Sequence, residues 1–163
     1  MNYTQTSDPT IRQYVQEWQK LDTDEQLALF WFVYTEMGDT ITPAAPNAST
    51  VSPEIAEGLF NQVKDLNHQQ QLQLQRDLIN RVDNQISRQY GSLSDTTKLL
   101  FWYRLAQEME NSTIVPMPSE YQLGSEAENL LAKIKTLSFQ QQITVFRDYV
   151  SPMGAEAKSG AEI

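Results

Sequence analysis

The chain carries the same pattern twice. Shifted by 71 positions, Gln69-Gln70-Gln71-Leu72-Gln73-Leu74-Gln75-Arg76-Asp77-Leu78-Ile79 falls on Gln140-Gln141-Gln142-Ile143-Thr144-Val145-Phe146-Arg147-Asp148-Tyr149-Val150. The same shift pairs Ala56 with Ala127, Leu59 with Leu130, Lys64 with Lys135 and Leu66 with Leu137. It also lays Leu29-Phe30-Trp31 on Leu100-Phe101-Trp102, and a one-residue slip then aligns Glu36-Met37 with Glu108-Met109. Two copies are too few for a solenoid, which needs at least three. They suit one compact body of two similar halves with a seam between them. Each half brings a Trp and a Met to equivalent places, and such a seam suits an elongated apolar ligand.

Helical punctuation runs along the whole chain. Asp8-Pro9 opens a helix over 9–19, and Asp22-Thr23-Asp24-Glu25 opens a second over 23–38, with Gly38 as its stop. The stretch Thr40–Pro53, with three prolines, reads as a loop. Helices over 54–66, 69–80 and 83–90 follow, the second capped by Asn67. The second copy repeats the plan over 95–110, a loop over 111–123, 125–137 and 140–150. Strand signals are weak, so the fold class is all-α: eight to ten helices in two sub-bundles. Residues 1–8 read as a mobile segment, 9–154 as the helical domain and 155–163 as a C-terminal tail.

Bulk properties narrow the function. A net charge of −9 over 163 residues disfavours nucleic acid and anionic membranes. The absence of cysteine removes disulfides and thiolate catalysis. No apolar run is long enough to span a membrane, and the N-terminus has no signal-peptide pattern, so the expected compartment is the cytoplasm. No phosphate loop, dinucleotide fingerprint or nucleophile elbow appears. The one histidine, His68, sits among Asn and Gln and reads as solvated. Asp22, Asp24 and Glu25 lack the spacing of a calcium loop and read as a helix cap. No catalytic residue, metal site or enzyme activity is expected.

The remaining signal is aromatic. Leu27, Phe30, Trp31, Tyr34, Met37 and Ile41 form one helical stripe; Leu99, Trp102, Tyr103, Ala106 and Met109 form another. The second loop adds Met117, Pro118 and Tyr121. Such stripes pack either as core or around a ligand. Trp and Tyr rings stack on a flat conjugated system, and Met fits around its ends. Their polar atoms are expected to serve a keto or hydroxyl end group.

The runs Asp24–Gly38, Lys98–Leu105, Val115–Leu123 and Gln140–Val145 resemble the N-terminal domain of the orange carotenoid protein of cyanobacteria. The resemblance covers Asp8 to Gly154 and ends where that two-domain protein's linker begins. A C-terminal sensor domain is therefore not expected, and the chain resembles the stand-alone helical carotenoid proteins. The resemblance implies two similar four-helix sub-bundles related by an internal duplication, with a ligand tunnel between them. It implies one keto-carotenoid, canthaxanthin or echinenone, in that tunnel. The lining it implies is Leu27, Phe30, Trp31, Tyr34, Ile41 and Leu66 from the first copy. From the second it is Leu99, Trp102, Tyr103, Met109, Met117, Pro118, Tyr121, Ile143 and Val150. Phe30 stands where that family often has Ile. Pro53 and Gln75 stand where the two-domain protein often has Met. Thr96 occupies an interdomain Asn position of that protein. Arg147 matches an arginine that docks on the phycobilisome, and Arg76-Asp77 is its counterpart in the first copy. The implied roles are quenching of singlet oxygen or carotenoid transport, with constitutive quenching at the phycobilisome as the alternative. Partners would be the carotenoid, the phycobilisome or a separate carrier like the missing C-terminal domain, and the location the thylakoid surface. A purely structural helical domain is the remaining reading.

Overall fold

A computed structural model describes residues 9–41, 53–118 and 120–155. Among them are eight helices and no strand: α1 Pro9–Lys20, α2 Thr23–Ile41, α3 Pro53–Lys64, α4 His68–Asn80, α5 Gln85–Gly91, α6 Asp95–Met109, α7 Ser125–Lys135 and α8 Phe139–Val150. The expected mobile N-terminus, most of the first loop and the last residues of the tail lie outside the described residues.

Helix starts follow their caps. Asn67 and Ser138 each accept from the backbone N–H three residues on, and Gln70 and Gln141 each reach back to the cap's own N–H. These are reciprocal capping boxes at positions 71 apart, so the repeat holds in three dimensions at these helix starts. The expected stop at Gly38 does not occur, because α2 continues to Ile41. A glycine inside a helix costs only about 1 kcal/mol. It ends a helix only where the chain must turn, and the nearest proline, Pro43, comes later.

Packing pairs obey the repeat as well. With α1 matched to α5, α2 to α6, α3 to α7 and α4 to α8, every major contact has its counterpart. The contact α1·α8 answers α4·α5, α1·α7 answers α3·α5, α2·α7 answers α3·α6, and α2·α4 answers α6·α8. The bundles are therefore α1, α2, α7, α8 and α3, α4, α5, α6. Each copy lends its last two helices to the other copy's bundle. Ion pairs clasp the matched contacts, Arg104 with Glu57 at 2.9 Å across α3·α6 and Lys135 with Glu36 across α2·α7.

Two buried glutamines hold the helix junctions. Gln142 donates to the Ile134 carbonyl at 3.1 Å. Its counterpart Gln71 donates to the carbonyls of Leu66 and Thr113 at 3.1 and 3.2 Å and accepts from the Val115 N–H at 2.8 Å. Gln71 thus also ties down the chain that follows α6. The aromatic core adds Trp18 of α1, stacked on Tyr149 of α8 at 4.4 Å.

The tail reading fails at its start. The Gly154 N–H donates to the Leu78 carbonyl at 2.8 Å, and the Ala155 N–H to Ser87 Oγ at 2.9 Å. Met153, Gly154 and Ala155 are buried. Gly154 has φ +82, and a Cβ there would lie 2.6 Å from the Tyr90 ring, so this position admits only glycine. Small residues here allow close backbone packing.

Gln71→Leu should cost about 2–4 kcal/mol, because it strands carbonyls and an N–H at a buried junction. Gln142→Leu should cost about 1–2 kcal/mol. Urea unfolding of the two variants checks the order.

Candidate ligand-binding site

Helices α2 and α6 present their aromatic stripes to one another. At their crossing Phe30 stacks on Trp102, with centroids 5.2 Å apart and planes 12° from parallel. A cavity of about 210 Å³ and a smaller one of about 50 Å³ both border this stack. Phe30, Trp102 and Ala106 line both. The stack is therefore a wall common to the two cavities.

The larger cavity takes Leu27 and Trp31 from α2, Leu72 and Gln75 from α4, and Leu105 and Met109 from α6; Val115–Pro118 and Tyr121 close it. The smaller one takes Val33 and Tyr34 from α2, Leu99 and Tyr103 from α6, and Phe146 from α8. Tyr34 bridges the aromatic groups, 5.7 Å from Trp31 and 5.6 Å from Tyr103. A shift of 72 relates Leu27 to Leu99, Phe30 to Trp102, Trp31 to Tyr103 and Tyr34 to Ala106. The shift of 71 relates Gln75 to Phe146. The cavities are thus counterparts under the repeat. They differ in size because Tyr34 and Phe146 fill one where Ala106 and Gln75 leave room in the other.

Trp102 is fixed by its edge. Its indole N–H donates to the Tyr90 hydroxyl at 3.0 Å, and that hydroxyl donates to the Val150 carbonyl at 2.8 Å. Tyr90 is fully buried, which pushes its phenol well above the ordinary value and keeps it a donor. The expectation that Trp102 offers its polar atom to a ligand is therefore corrected: only its ring face and edge are available.

Residues 111–124 form a strap over the larger cavity. One end is held by Gln71 and by His68, whose Nε2 lies 2.9 Å from the Ser112 carbonyl. His68 is exposed, yet it anchors the strap. The other end is latched to Glu25, which accepts from the Tyr121 hydroxyl at 2.6 Å and from the Gly124 N–H at 3.1 Å. Burial, then the Glu25 hydrogen bond, then the charges of Glu25, Asp22 and Asp24 push the Tyr121 phenol well above its ordinary value. Its latch is complete below that ordinary value, near pH 10, and is lost only as pH climbs through the folded one. At the mouth Arg76 pairs with Asp24 through two hydrogen bonds of 2.9 and 3.1 Å.

The expected lining residues separate clearly. Leu27, Phe30, Trp31, Trp102, Met109, Met117, Pro118 and Tyr121 line the larger cavity; Tyr34, Leu99 and Tyr103 line the smaller. Leu66, Ile143 and Val150 line neither. Leu66 borders a shallow recess between α4 and α5, Ile143 packs against the core from α8, and Val150 is wholly buried beside Tyr90. The Ile41 side chain lies outside the described ones. Leu72, Leu105, Ala106, Val115 and Phe146 were missed as lining, although the repeat marks Phe146 as the counterpart of Gln75. Arg147 stands half-buried on α8, and among the described residues no carboxylate lies within ion-pair distance of it. Asp95, at the start of α6, instead accepts from Ser151 Oγ at 2.8 Å. Among the described residues no acidic or histidine cluster could hold a metal, and no helix is long and apolar enough to cross a membrane.

A family model described as "Orange carotenoid protein, N-terminal" matches residues 3–156. An orange carotenoid-binding domain-containing protein of Nostoc sp. is 46% identical over 85% of this chain and 80% of its own length. The orange carotenoid-binding protein of Synechocystis sp. is 43% identical over 88% of this chain, which spans 45% of that relative. The solved Red Carotenoid Protein of Anabaena (Nostoc), binding canthaxanthin, superposes with a TM-score of 0.82 at 72% identity, over 91% of this chain and all of that one.

Tyr121→Phe should release one end of the strap, at a cost of about 1–2 kcal/mol for a hydrogen bond to a carboxylate. Hydrogen exchange of the Gly124 amide should then speed up about tenfold. Exchange of the α6 amides should not change.

Proposed function

We propose that this chain, which belongs to the orange carotenoid protein N-terminal family, binds one keto-carotenoid along the α2–α6 seam and quenches singlet oxygen. One observation carries the reading: two apolar, aromatic-lined cavities share the Phe30–Trp102 stack as a common wall. A polyene running the seam would part those two rings and lie between them. At 1.5 Å per residue α2 is about 28 Å long and α6 about 22 Å, a scale suited to an extended pigment. The solved Anabaena relative supports the ligand class, since it binds canthaxanthin.

The chemistry requires little of the protein. A long polyene has a low-lying triplet state, so it accepts excitation from singlet oxygen and returns it as heat. The protein supplies solubility, a dry sleeve and access for a small apolar molecule. Burying on the order of 600 Å² of pigment contributes about 15 kcal/mol gross at ~25 cal/mol/Å², before the costs of association and ordering. Transport of pigment to a carrier fits the same sleeve.

The second reading is docking on the phycobilisome and quenching of its excitation. Arg147 favours it, because among the described residues no carboxylate pairs with it, whereas its counterpart Arg76 is held by Asp24. One arginine is a small part of a docking surface on a chain of net charge −9, so singlet-oxygen quenching ranks first.

Expression in a carotenoid-producing host should give a coloured protein with one pigment per chain by extraction. Trp102→Ala should release most of that pigment, since truncating a buried aromatic costs about 3–5 kcal/mol. The holoprotein should shorten the lifetime of photosensitised singlet oxygen more than the pigment-free form does. Strong loss of phycobilisome fluorescence on mixing, abolished by Arg147→Glu, would reverse the ranking.

A further inference from the structure

Gln75 is a buried amide in an apolar wall. It sits on α4 at 5% exposure and lines the larger cavity beside Leu72. Its Nε2 has no hydrogen-bond partner. One turn earlier Gln71 is equally buried, yet its amide is engaged at both ends. Gln142 in the second copy is engaged too. The counterpart of Gln75 is Phe146, 2% exposed, on the wall of the smaller cavity. The fold therefore accommodates an apolar ring at this position, and the amide gains nothing from the protein in exchange for its desolvation.

Three other polar groups on the same wall are already committed. Arg76 is held by Asp24, the Tyr121 hydroxyl by Glu25 and the Trp102 N–H by Tyr90. The two ends of a Gln amide exchange places by a half-turn of the last side-chain bond. Gln75 can thus present its NH₂ to the cavity with no change in volume. An NH₂ group is satisfied by an oxygen acceptor, which a ring carbonyl supplies and a hydrocarbon ring does not.

We propose that Gln75 donates a hydrogen bond to a ring carbonyl at the end of the bound polyene, so that the larger cavity selects a keto-carotenoid over the hydrocarbon of the same skeleton. This rests on the pigment-binding reading above and adds which end of the site reads the oxygen. A ring without oxygen leaves the buried amide unsatisfied, and this is the source of the discrimination. The bond stiffens the pigment's attachment at the strap end of the seam.

The test loads wild-type protein, Gln75→Met and Gln75→Leu with equal amounts of canthaxanthin and β-carotene. The ratio of bound pigments is read by extraction. Wild type should favour canthaxanthin about tenfold more than either variant does. Resonance Raman of the canthaxanthin-loaded forms should show one C=O stretch lowered in wild type and restored in the variants. The pigment-free variants should melt at or above the wild-type temperature, because an unsatisfied buried amide has been removed. Equal selectivity and identical C=O stretches in proteins that all load pigment would overturn the role of Gln75 while leaving pigment binding intact. A lower melting temperature of both pigment-free variants would also overturn it, by making the amide structural. Failure of wild type to hold either pigment would overturn the binding reading and this one with it.

Discussion

The chain of hydrogen bonds from Trp102 through Tyr90 to the Val150 carbonyl sets the geometry of everything around the seam. It joins α6, α5 and the end of α8 at one buried hydroxyl. A buried indole N–H without a partner is costly, so Trp102 must keep its edge on Tyr90. That requirement fixes the plane of its ring, and the ring plane fixes how Phe30 stacks. The stack in turn forms a wall of both cavities. The same tyrosine bears on the chain end, since its ring leaves no room for a Cβ at Gly154. Backbone packing and the aromatic site therefore share one anchor.

Around that anchor the two copies have diverged in a chemically ordered way. Residues that build the frame keep their roles: both capping boxes, both buried glutamines and the matched helix contacts persist. Residues that face the seam do not. Ala106 against Tyr34 and Gln75 against Phe146 turn one cavity roomy and polar at a point, the other tight and wholly apolar. Arg76 against Arg147 does the same for the surface: one cation is held by a carboxylate, and among the described residues the other is not. A symmetric frame thus carries an asymmetric site, which gives a rod-shaped ligand a defined direction.

Helix positions were legible because caps, prolines and apolar periodicity are local signals. The aromatic lining was legible because helical spacing puts Leu27, Phe30, Trp31 and Tyr34 on one face, and Leu99, Trp102 and Tyr103 on another. The strap's anchors were not. Gln71, His68 and Glu25 are ordinary polar residues whose partners lie far along the chain, and nothing local distinguishes them from surface. Val150 and Ile143, which the resemblance implies as lining, pack in the core and border neither cavity. Gly38 misled because a glycine is permissive rather than compulsory at a helix end. The fate of Trp102's N–H needed the position of Tyr90, which its own sequence neighbours do not give.

The interleaving of the helices has a consequence for how the protein is made. The first helix packs chiefly against the last two, α7 and α8. During synthesis the chain emerges from its N-terminus at about 5–20 residues per second. For some seconds α1 and α2 lack α7 and α8, and the faces those two helices cover stay open. The smaller cavity cannot close until Phe146 of α8 has left the ribosome. Assembly of the site is therefore staged: the larger cavity draws on α2, α4, α6 and the strap, all made before α7, and the smaller one waits for α8.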